Sequence, residues 1–185
     1  MSGQSDNGLL KKHIDGFWEG HSIEEDTWTL GPVRQSVPGF STYRVAPVSA
    51  GSAWVYVTVG ASAVGGCEFF LLSPYESRVH AETLAVVSHF NSERKGELDV
   101  GSTLNMGRPW MSGSQMDHLL VSLPYPYGPD LENAYVGGRR VRFLWLLPVY
   151  GKEVDLIKNH SLEEFESRMD ECEPDILSLD RPAVC

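Results

Sequence analysis

The sequence predicts a single α+β domain, and three observations support this. The chain has 185 residues, about the length of one domain. Hydrophobic residues make up 42% and charged residues 22%, a composition typical of a globular protein and not of a disordered chain. Segments typical of strands and segments typical of helices both occur. The predicted strands lie at residues 41–48, 53–59, 67–72, 98–106, 118–123 and 139–149, and the predicted helices at 9–18, 73–91, 151–160 and 161–172.

The first 40 residues are predicted to form a helix and loop region that belongs to the same domain as residues 41–185. Leu10, Ile14 and Trp18 recur at helical spacing, which predicts a helix over residues 9–18. Residues 21–39 mix charged residues with Gly and Pro, which predicts a loop with at most one strand.

Residues 41–73 follow as predicted strands and turns. Gly51 and Ser52 separate two runs rich in β-branched residues, so these runs are expected to form a hairpin. Residues 60–66 are small and are predicted to form a flexible loop before the apolar strand at 67–72.

A capping signature predicts where the next helix begins. Ser73, Pro74 and Glu76 fit an N-cap, a first helical position and the third position of a capping box. The helix is expected to end near Asn91. Its expected apolar face consists of Tyr75, Val79, Val86, Val87 and Phe90.

The run at residues 139–149 is predicted to be a central strand. Val141, Phe143 and Trp145 alternate to one side of it, and Leu144 and Leu146 lie on the other, so both faces are expected to be covered. Its predicted partner is the strand at 118–123. Two helices follow, and the second opens with the capping box of Ser161 and Glu164. Cys172 is expected on the apolar face of that helix, and Cys67 is likewise expected to be buried.

Charge and composition exclude several classes of function. The chain has 15 basic and 25 acidic residues, for a formal charge of −10, which disfavours binding to nucleic acid or to an anionic membrane. No apolar run is long enough to span a bilayer, and the first residues lack the pattern of a signal peptide. Three widely separated cysteines indicate a reducing compartment, so the cytoplasm is expected.

No motif of an active site is complete. His80-Ala81-Glu82 matches half of a zinc deaminase signature, but the paired cysteines of the other half are absent, and a solvated helix face is the favoured interpretation. No phosphate-binding glycine motif occurs, and no cofactor or metal is expected. The enzymatic alternative is a small hydrolase or metal-dependent enzyme that uses His80, Glu82 and His118.

Aromatic residues in loops and a run of acids are the candidate contacts for a partner. The aromatic set, with its neighbouring methionine, is Trp28, Trp110, Met111, Tyr125 and Tyr127, and the acidic set is Glu163, Glu166 and Asp170. Loop aromatics often anchor partners, although packing at the rim of a core is the favoured role here. The acids lie in a stretch from Gly151 onward with ten acids and four bases, and they form either a solvated helix face or a docking surface.

From about Ser52 onward the sequence resembles the suppressor-of-fused domain family in its bacterial single-domain form. The segments that carry this resemblance are 68–72 (Glu-Phe-Phe-Leu-Leu), 79–90, 107–110 (Gly-Arg-Pro-Trp), 117–122, 142–149 with Glu153, and 180–184 (Asp-Arg-Pro-Ala-Val). The resemblance implies an α+β fold with a mixed β-sheet and flanking helices. It also implies binding and not catalysis, because no catalytic residues are established for the family.

The resemblance further implies what kind of partner to expect. Eukaryotic relatives hold a transcription factor, and many bacterial relatives are thought to be immunity proteins that neutralise a toxin. The hypothesis is therefore a cytoplasmic immunity protein whose partner is a protein, with a basic toxin matching its acidity. The other alternative is a regulatory adaptor that binds a peptide, for instance as an added strand at a sheet edge. The sequence does not predict the oligomeric state.

Overall fold

Strands and helices are interspersed along the chain. The computed structural model describes residues 2–27 and 30–184, and side chains from residue 6 onward. The strands of this part are β1 (Ile23–Asp26), β2 (Ser41–Val45), β3 (Trp54–Val59), β4 (Cys67–Ser73), β5 (Thr103–Asn105), β6 (His118–Ser122), β7 (Asn133–Val136) and β8 (Arg139–Val149). The helices are α1 (Ser2–Phe17), α2 (Val33–Ser36), α3 (Ser62–Gly65), α4 (Val79–Glu93), α5 (Pro129–Glu132), α6 (Gly151–Asn159) and α7 (Leu162–Cys172).

All of these strands join one mixed sheet in the order β1-β2-β3-β4-β8-β6-β5, with β7 also paired to β8. The predicted hairpin is confirmed, since β2 and β3 pair antiparallel with Ser41 opposite Val59. The predicted pairing of β6 with β8 is confirmed as well, with Ser122 opposite Trp145. β4 runs parallel to β8, so the sheet is mixed as the family resemblance implied.

Helices cover both faces of the sheet. We call the side that carries Phe143 and Trp145 the α7 face, and the side that carries Leu144 and Leu146 the α4 face. On the α7 face, apolar residues of α1, α5, α6 and α7 pack into one core. On the α4 face, residues of α2 and α4 pack into a second core. The prediction that β8 is central and covered on both sides is therefore confirmed.

The N-terminal region shares this sheet and this core. Leu10, Ile14 and Trp18 are buried on the α7 face, where α1 packs against the strands. β1 lies at the edge of the sheet and pairs with β2, with Ile23 opposite Val45. The helix and the one strand expected before residue 40 are both present, and the short helix α2 was not anticipated.

The predicted start of α4 is wrong. The helix begins at Val79, and Ser73 is instead the last residue of β4. The Ser73 hydroxyl bonds to the carbonyl oxygen of Tyr75 at 2.7 Å and to His80 Nε2 at 2.9 Å, so it is engaged elsewhere and caps no helix. The expected apolar face is also wrong in part, because Tyr75 and Val86 are exposed.

Residues 60–66, predicted to be a flexible loop, are organised around a buried carboxylate. Glu68 is completely buried and accepts hydrogen bonds from the amides of Gly60, Ala61 and Ser62 and from the hydroxyl of Thr58. Burial raises the pKa of Glu68, and these donors lower it in part. These hydrogen bonds hold the segment in the turn that leads into α3. The small size of its residues did not indicate this order.

The C-terminal residues are fastened to α6 by a buried ion pair. The guanidinium of Arg181 donates to both carboxylate oxygens of Glu153, at 2.7 and 2.9 Å, and to the carbonyl oxygen of Pro148. Both side chains are almost completely buried, and the amide of Val184 also donates to Glu153. We call this set the C-terminal clasp. It fixes the direction in which residues 173–184 return across the sheet.

Cys67 is buried as predicted, but Cys172 is exposed, contrary to the prediction. The reason is that α7 ends at Cys172, where Glu173 adopts a left-handed conformation and turns the chain. Ile176, beyond this turn, packs against the core of the α7 face. No helix among residues 2–27 and 30–184 has the length and apolar character needed to cross a membrane.

Candidate functional site

A groove of about 530 Å³ opens on the α7 face, between α7, the end of β6 and the middle of β8. Its residues come from four separate parts of the chain, which the sheet and the C-terminal clasp bring together. They are Ser122, Tyr125, Pro126, Trp145, Leu147, Phe165, Glu166, Met169, Asp170, Glu173, Pro174 and Ile176.

The floor of the groove is apolar. Trp145 and Leu147 contribute from β8, because alternate residues of that strand point to the α7 face. Phe165 and Met169 are four residues apart on α7, so they lie on the same side of the helix and face the strand. Trp145 is further fixed by the ring of Phe70, which stacks on it at 6.5 Å between centroids. The floor is thus a surface held in place by the core beneath it.

The rim of the groove is acidic. Glu166, Asp170 and Glu173 line it, and no Lys, Arg or His belongs to the set of residues that form the groove. Elsewhere on α7, Glu164 pairs with Arg168 at 2.8 Å. The hydroxyl of Tyr125 donates to Glu166 Oε1 at 3.0 Å. Burial and the nearby carboxylates of Glu166 and Asp170 raise the pKa of Tyr125 to about 12.

One buried polar atom of the groove residues has no partner among the described residues. Trp145 is 4% exposed, and its Nε1 is buried without a hydrogen bond to any described residue. An indole N–H can only donate, so an acceptor must come from outside the described residues if the bond is to form. A buried donor left without an acceptor costs about 1–3 kcal/mol. Beneath the apolar floor there is therefore a buried indole N–H that has no acceptor among the described residues.

Three of the predicted contact residues meet in this groove and the others do not. Tyr125, Glu166 and Asp170 line it, whereas Glu163 is exposed on α7 away from it. Tyr127 is partly buried and packs edge-on against Phe17 and Trp18, so it serves the core.

Trp110 and Met111 belong to the α4 face. Trp110 is buried, its ring stacks on His80 at 5.4 Å, and its Nε1 donates to Ser114 Oγ at 3.1 Å. Met111 Sδ lies 3.8 Å from the hydroxyl of Ser73. Both residues therefore pack against the core of the α4 face. Trp28 lies outside the described residues.

The three residues of the enzymatic alternative do not converge. His80 is completely buried on the α4 face, against Tyr56 and Trp110, so the interpretation of a solvated position is wrong for this residue. Glu82 points to solvent on the same helix, 3.9 Å from Arg108. His118 lies two residues before Leu120 on β6. Both side chains therefore point to the α7 face, on the side of the sheet opposite His80. No cluster of three or more His, Cys, Asp or Glu suited to a metal occurs among the described residues.

His80 has an unusual environment, although it is not near a groove. Burial lowers the pKa of its ring to about 4. Its Nε2 lies 2.9 Å from Ser73 Oγ, while Nδ1 has no partner among the described residues. The Ser73 hydroxyl is completely enclosed and donates to a backbone carbonyl, so this Ser–His pair serves the packing of α4 on β4.

Sequence reasoning missed four residues of the groove that matter most for its chemistry. Trp145 was assigned to the core because it alternates with Val141 and Phe143. The helical spacing of Phe165 and Met169 indicates an apolar side of α7, but nothing in the sequence indicates that this side lines a cavity. Glu173 belongs to the acidic run of this region but is not among the chosen contact residues, and Ile176 is not distinguished from the rest of the tail. An indole within an otherwise aliphatic and aromatic strand is the signal that could have directed attention to Trp145.

Comparisons with known proteins find similarity over almost the whole chain. The sequence model of the family described as Suppressor of fused protein (SUFU) matches residues 39–182. A SUFU homologue from Neisseria gonorrhoeae FA 1090 is 39% identical, with 99% of this chain and 98% of that chain covered and a TM-score of 0.91. No curated protein sequence gives a significant match.

Two more distant structures share the fold at 13% identity. One is the Sufu–Fu complex, with a TM-score of 0.72 over 97% of this chain and 92% of that chain. The other is Drosophila Suppressor of Fused, with a TM-score of 0.73 over 97% of this chain. This chain covers 51% of the Drosophila protein, about half its length. From the family match and the Neisseria homologue, the chain belongs to the suppressor of fused family.

Proposed function

We propose that this suppressor of fused domain is an immunity protein, which binds a basic toxin in the cytoplasm and neutralises it. The family is one of protein-binding regulators, and Sufu itself is seen in complex with Fu. The observation that carries the proposal is the acidic groove of the α7 face, where Tyr125, Glu166 and Asp170 surround an apolar floor. The similarity to a bacterial homologue supports the bacterial form of this function.

The charge of the chain supports a basic partner. With a net charge of −10, the surface attracts a cationic protein from a distance and accelerates the encounter. Toxins that act on nucleic acids carry basic surfaces for that purpose, because affinity for phosphates depends on Lys and Arg. An acidic inhibitor that covers such a surface blocks the substrate site directly.

The groove supplies only part of such an interface. A stable protein complex buries about 1,600 Å² in total, far more than one groove of this size offers. We therefore assign to the groove the role of an anchor at the centre of the contact, where a few buried residues carry most of the binding energy. The acids at its rim then orient the partner.

The experiment is co-expression with the product of the adjacent gene. We expect that product to inhibit growth when expressed alone, to be harmless together with this protein, and to co-purify with it. Deletion of this gene is expected to make cells sensitive to competition by sibling cells that carry the toxin. If deletion leaves the cells fully resistant and no toxic neighbour exists, the immunity function is refuted, and a regulatory adaptor becomes the better proposal.

A further inference from the structure

We propose that the protein associates with a second copy of itself through α4, with the two α4 helices packed antiparallel about a two-fold axis near Val86. The contact lies on the α4 face, whereas the proposed immunity function uses the groove of the α7 face. In such a dimer the α7 groove of each copy stays free for a toxin.

The first observation is an apolar groove between α4 and the segment that leads into α2. Its volume is about 560 Å³. Its lining residues are Leu30, Gly31, Pro32, Val33, Glu82, Ala85, Val86 and His89. Leu30 and Val86 are themselves exposed to solvent, at 69% and 52%. Exposed apolar side chains beside an apolar groove are typical of an interaction surface, and a second copy brings both the side chains and the groove that receives them.

The second observation is the pattern of exposed side chains along α4. At about 100° per residue, five exposed or half-exposed side chains fall within a band about 80° wide. We call them the α4 stripe, and they are Arg78, Glu82, Val86, His89 and Glu93. From its first to its last residue the stripe is about 22 Å long, because a helix rises 1.5 Å per residue. Most other residues of the helix are buried against the sheet.

The charges of the α4 stripe are self-complementary in an antiparallel pair. If the two-fold axis passes between residues 85 and 86, Arg78 of one copy faces Glu93 of the other. Glu82 then faces His89, and Val86 lies at the axis. Each contact occurs twice, because the axis exchanges the two copies. A parallel pair would place Arg78 on Arg78 and Glu82 on Glu82, which repel.

The two ends of the stripe are available for such a contact. Arg78 lies beside the acids of β1, yet neither Arg78 nor Glu93 forms an ion pair with any described residue. Both side chains are exposed. Each end can therefore pair with a second copy without first breaking an ion pair within its own chain.

The middle of the stripe is also able to form the contact. His89 Nδ1 lies 2.8 Å from the hydroxyl of Ser36, which leaves Nε2 for a carboxylate of the other copy. Glu82 is 3.9 Å from Arg108 at the surface, and a carboxylate has two oxygens that accept, so this ion pair does not prevent a second bond.

The available area determines the expected affinity. A stable complex buries about 800 Å² on each partner, and a single stripe is too narrow to supply this alone. The groove at Leu30 widens the surface on one side of α4. A second groove of about 230 Å³, lined by Val86, Phe90 and Met106 among others, widens it on the other side. We expect a modest interface, with a dissociation constant of about 1–100 µM.

The first experiment is sedimentation velocity of the purified protein, at concentrations from well below to well above this range. We expect a monomer at the low end and a dimer at the high end. Val86→Arg is expected to raise the dissociation constant at least tenfold, because it places two like charges at the axis. The control is Val48→Arg, which is 66% exposed in the turn between β2 and β3 and is expected to change nothing. Both valines are at the surface, so both variants are expected to fold.

Charge reversal tests the antiparallel register. Glu93→Arg makes both ends of the stripe positive, and Arg78→Glu makes both ends negative. Each variant alone is expected to dimerise roughly tenfold more weakly at low salt. An equal mixture of the two variants is expected to regain wild-type affinity, since every Arg then faces a Glu. Glu93→Arg also lowers the net negative charge of the chain, so its weaker dimer is the opposite of what net charge alone predicts.

Three results would overturn the proposal. The wild type could remain a monomer over the whole range, Val48→Arg could weaken the dimer as much as Val86→Arg, or the mixed variants could associate no better than either alone. If the wild type is a monomer and Val86→Arg abolishes binding of a toxin, the surface belongs to that partner and the dimer is refuted. Self-association is measured on the protein alone, so failure of the immunity function leaves this proposal standing, and the reverse holds as well.

Discussion

Trp110 and Trp145 lie on opposite faces of the same sheet, and their indole N–H groups differ in hydrogen bonding. Trp110 is buried among α4 and its loop, and its N–H is bonded to Ser114 Oγ at 3.1 Å. Trp145 is equally well packed, yet its N–H has no described partner and its ring lines a groove. The comparison shows that a loop tryptophan can have its N–H satisfied within a core, while a strand tryptophan beside a groove can be buried with no described acceptor for its N–H.

The largest effect is expected from the C-terminal clasp, which supports the tail on the α7 face. Arg181→Met leaves the Glu153 carboxylate buried without its counter-charge, so the free energy of unfolding is expected to fall by about 3–5 kcal/mol. Urea unfolding followed by tryptophan fluorescence measures this. The control is Arg168→Met, which breaks a surface pair with Glu164 and is expected to cost less than about 1 kcal/mol. Equal losses in the two variants would contradict the assigned role of the clasp.

The next effect concerns pH and belongs to the α4 face. Because the pKa of His80 is lowered from 6.5 to about 4, the folded state binds fewer protons at this group than the unfolded state does. Its contribution to stability is present above pH 6.5 and is lost as the pH falls towards 4. We expect the stability of the wild type relative to His80→Leu to fall by roughly 3 kcal/mol between pH 7 and pH 4. Parallel pH profiles of the two proteins would contradict this.

A smaller effect separates the two tryptophans directly. Replacement of either by Phe keeps a ring and leaves a cavity, but only Trp110→Phe also loses a formed hydrogen bond, that to Ser114. We expect Trp110→Phe to be less stable than Trp145→Phe by about 1 kcal/mol in urea unfolding. The reverse order would show that Trp145 Nε1 already has a strong acceptor in the free protein.

The smallest effect is expected at the rim of the groove. Tyr125→Phe removes the hydrogen bond to Glu166, which lies at the surface, so thermal unfolding is expected to show a loss of about 0.5 kcal/mol or less. A loss several times larger would mean that this hydrogen bond is needed to maintain the shape of the groove.

The parts of the fold that depend on local pattern were predictable. The alternation of Val141, Phe143 and Trp145, with Leu144 and Leu146 on the other side, predicted β8 as a central strand. The capping signature of Ser161 predicted the start of α7, where its hydroxyl accepts from the Glu164 amide at 3.1 Å. Both signals act over a few residues, within reach of sequence reasoning.

Features that depend on distant residues were not predictable. Ser73 fits an N-cap as well as Ser161 does, but the ring of His80 and the backbone of Tyr75 compete for its hydroxyl in the folded protein. His80 is buried because Tyr56 and Trp110 enclose it from other parts of the chain. The acids Glu166 and Asp170 were identified as candidates, but the groove beside them also requires residues of β6, β8 and the returning tail, which are distant in sequence.

The arrangement of β8 has a consequence for the order in which the protein forms. This one strand pairs with β7, with β6 and, in parallel, with β4, where Arg142 stands opposite Cys67. Strands β1 to β4 leave the ribosome well before β8 exists, so the edge of β4 remains open during much of synthesis. Such non-local pairing slows folding. The exposed edge of β4 in the nascent chain is therefore the place where a chaperone would bind or where aggregation would begin.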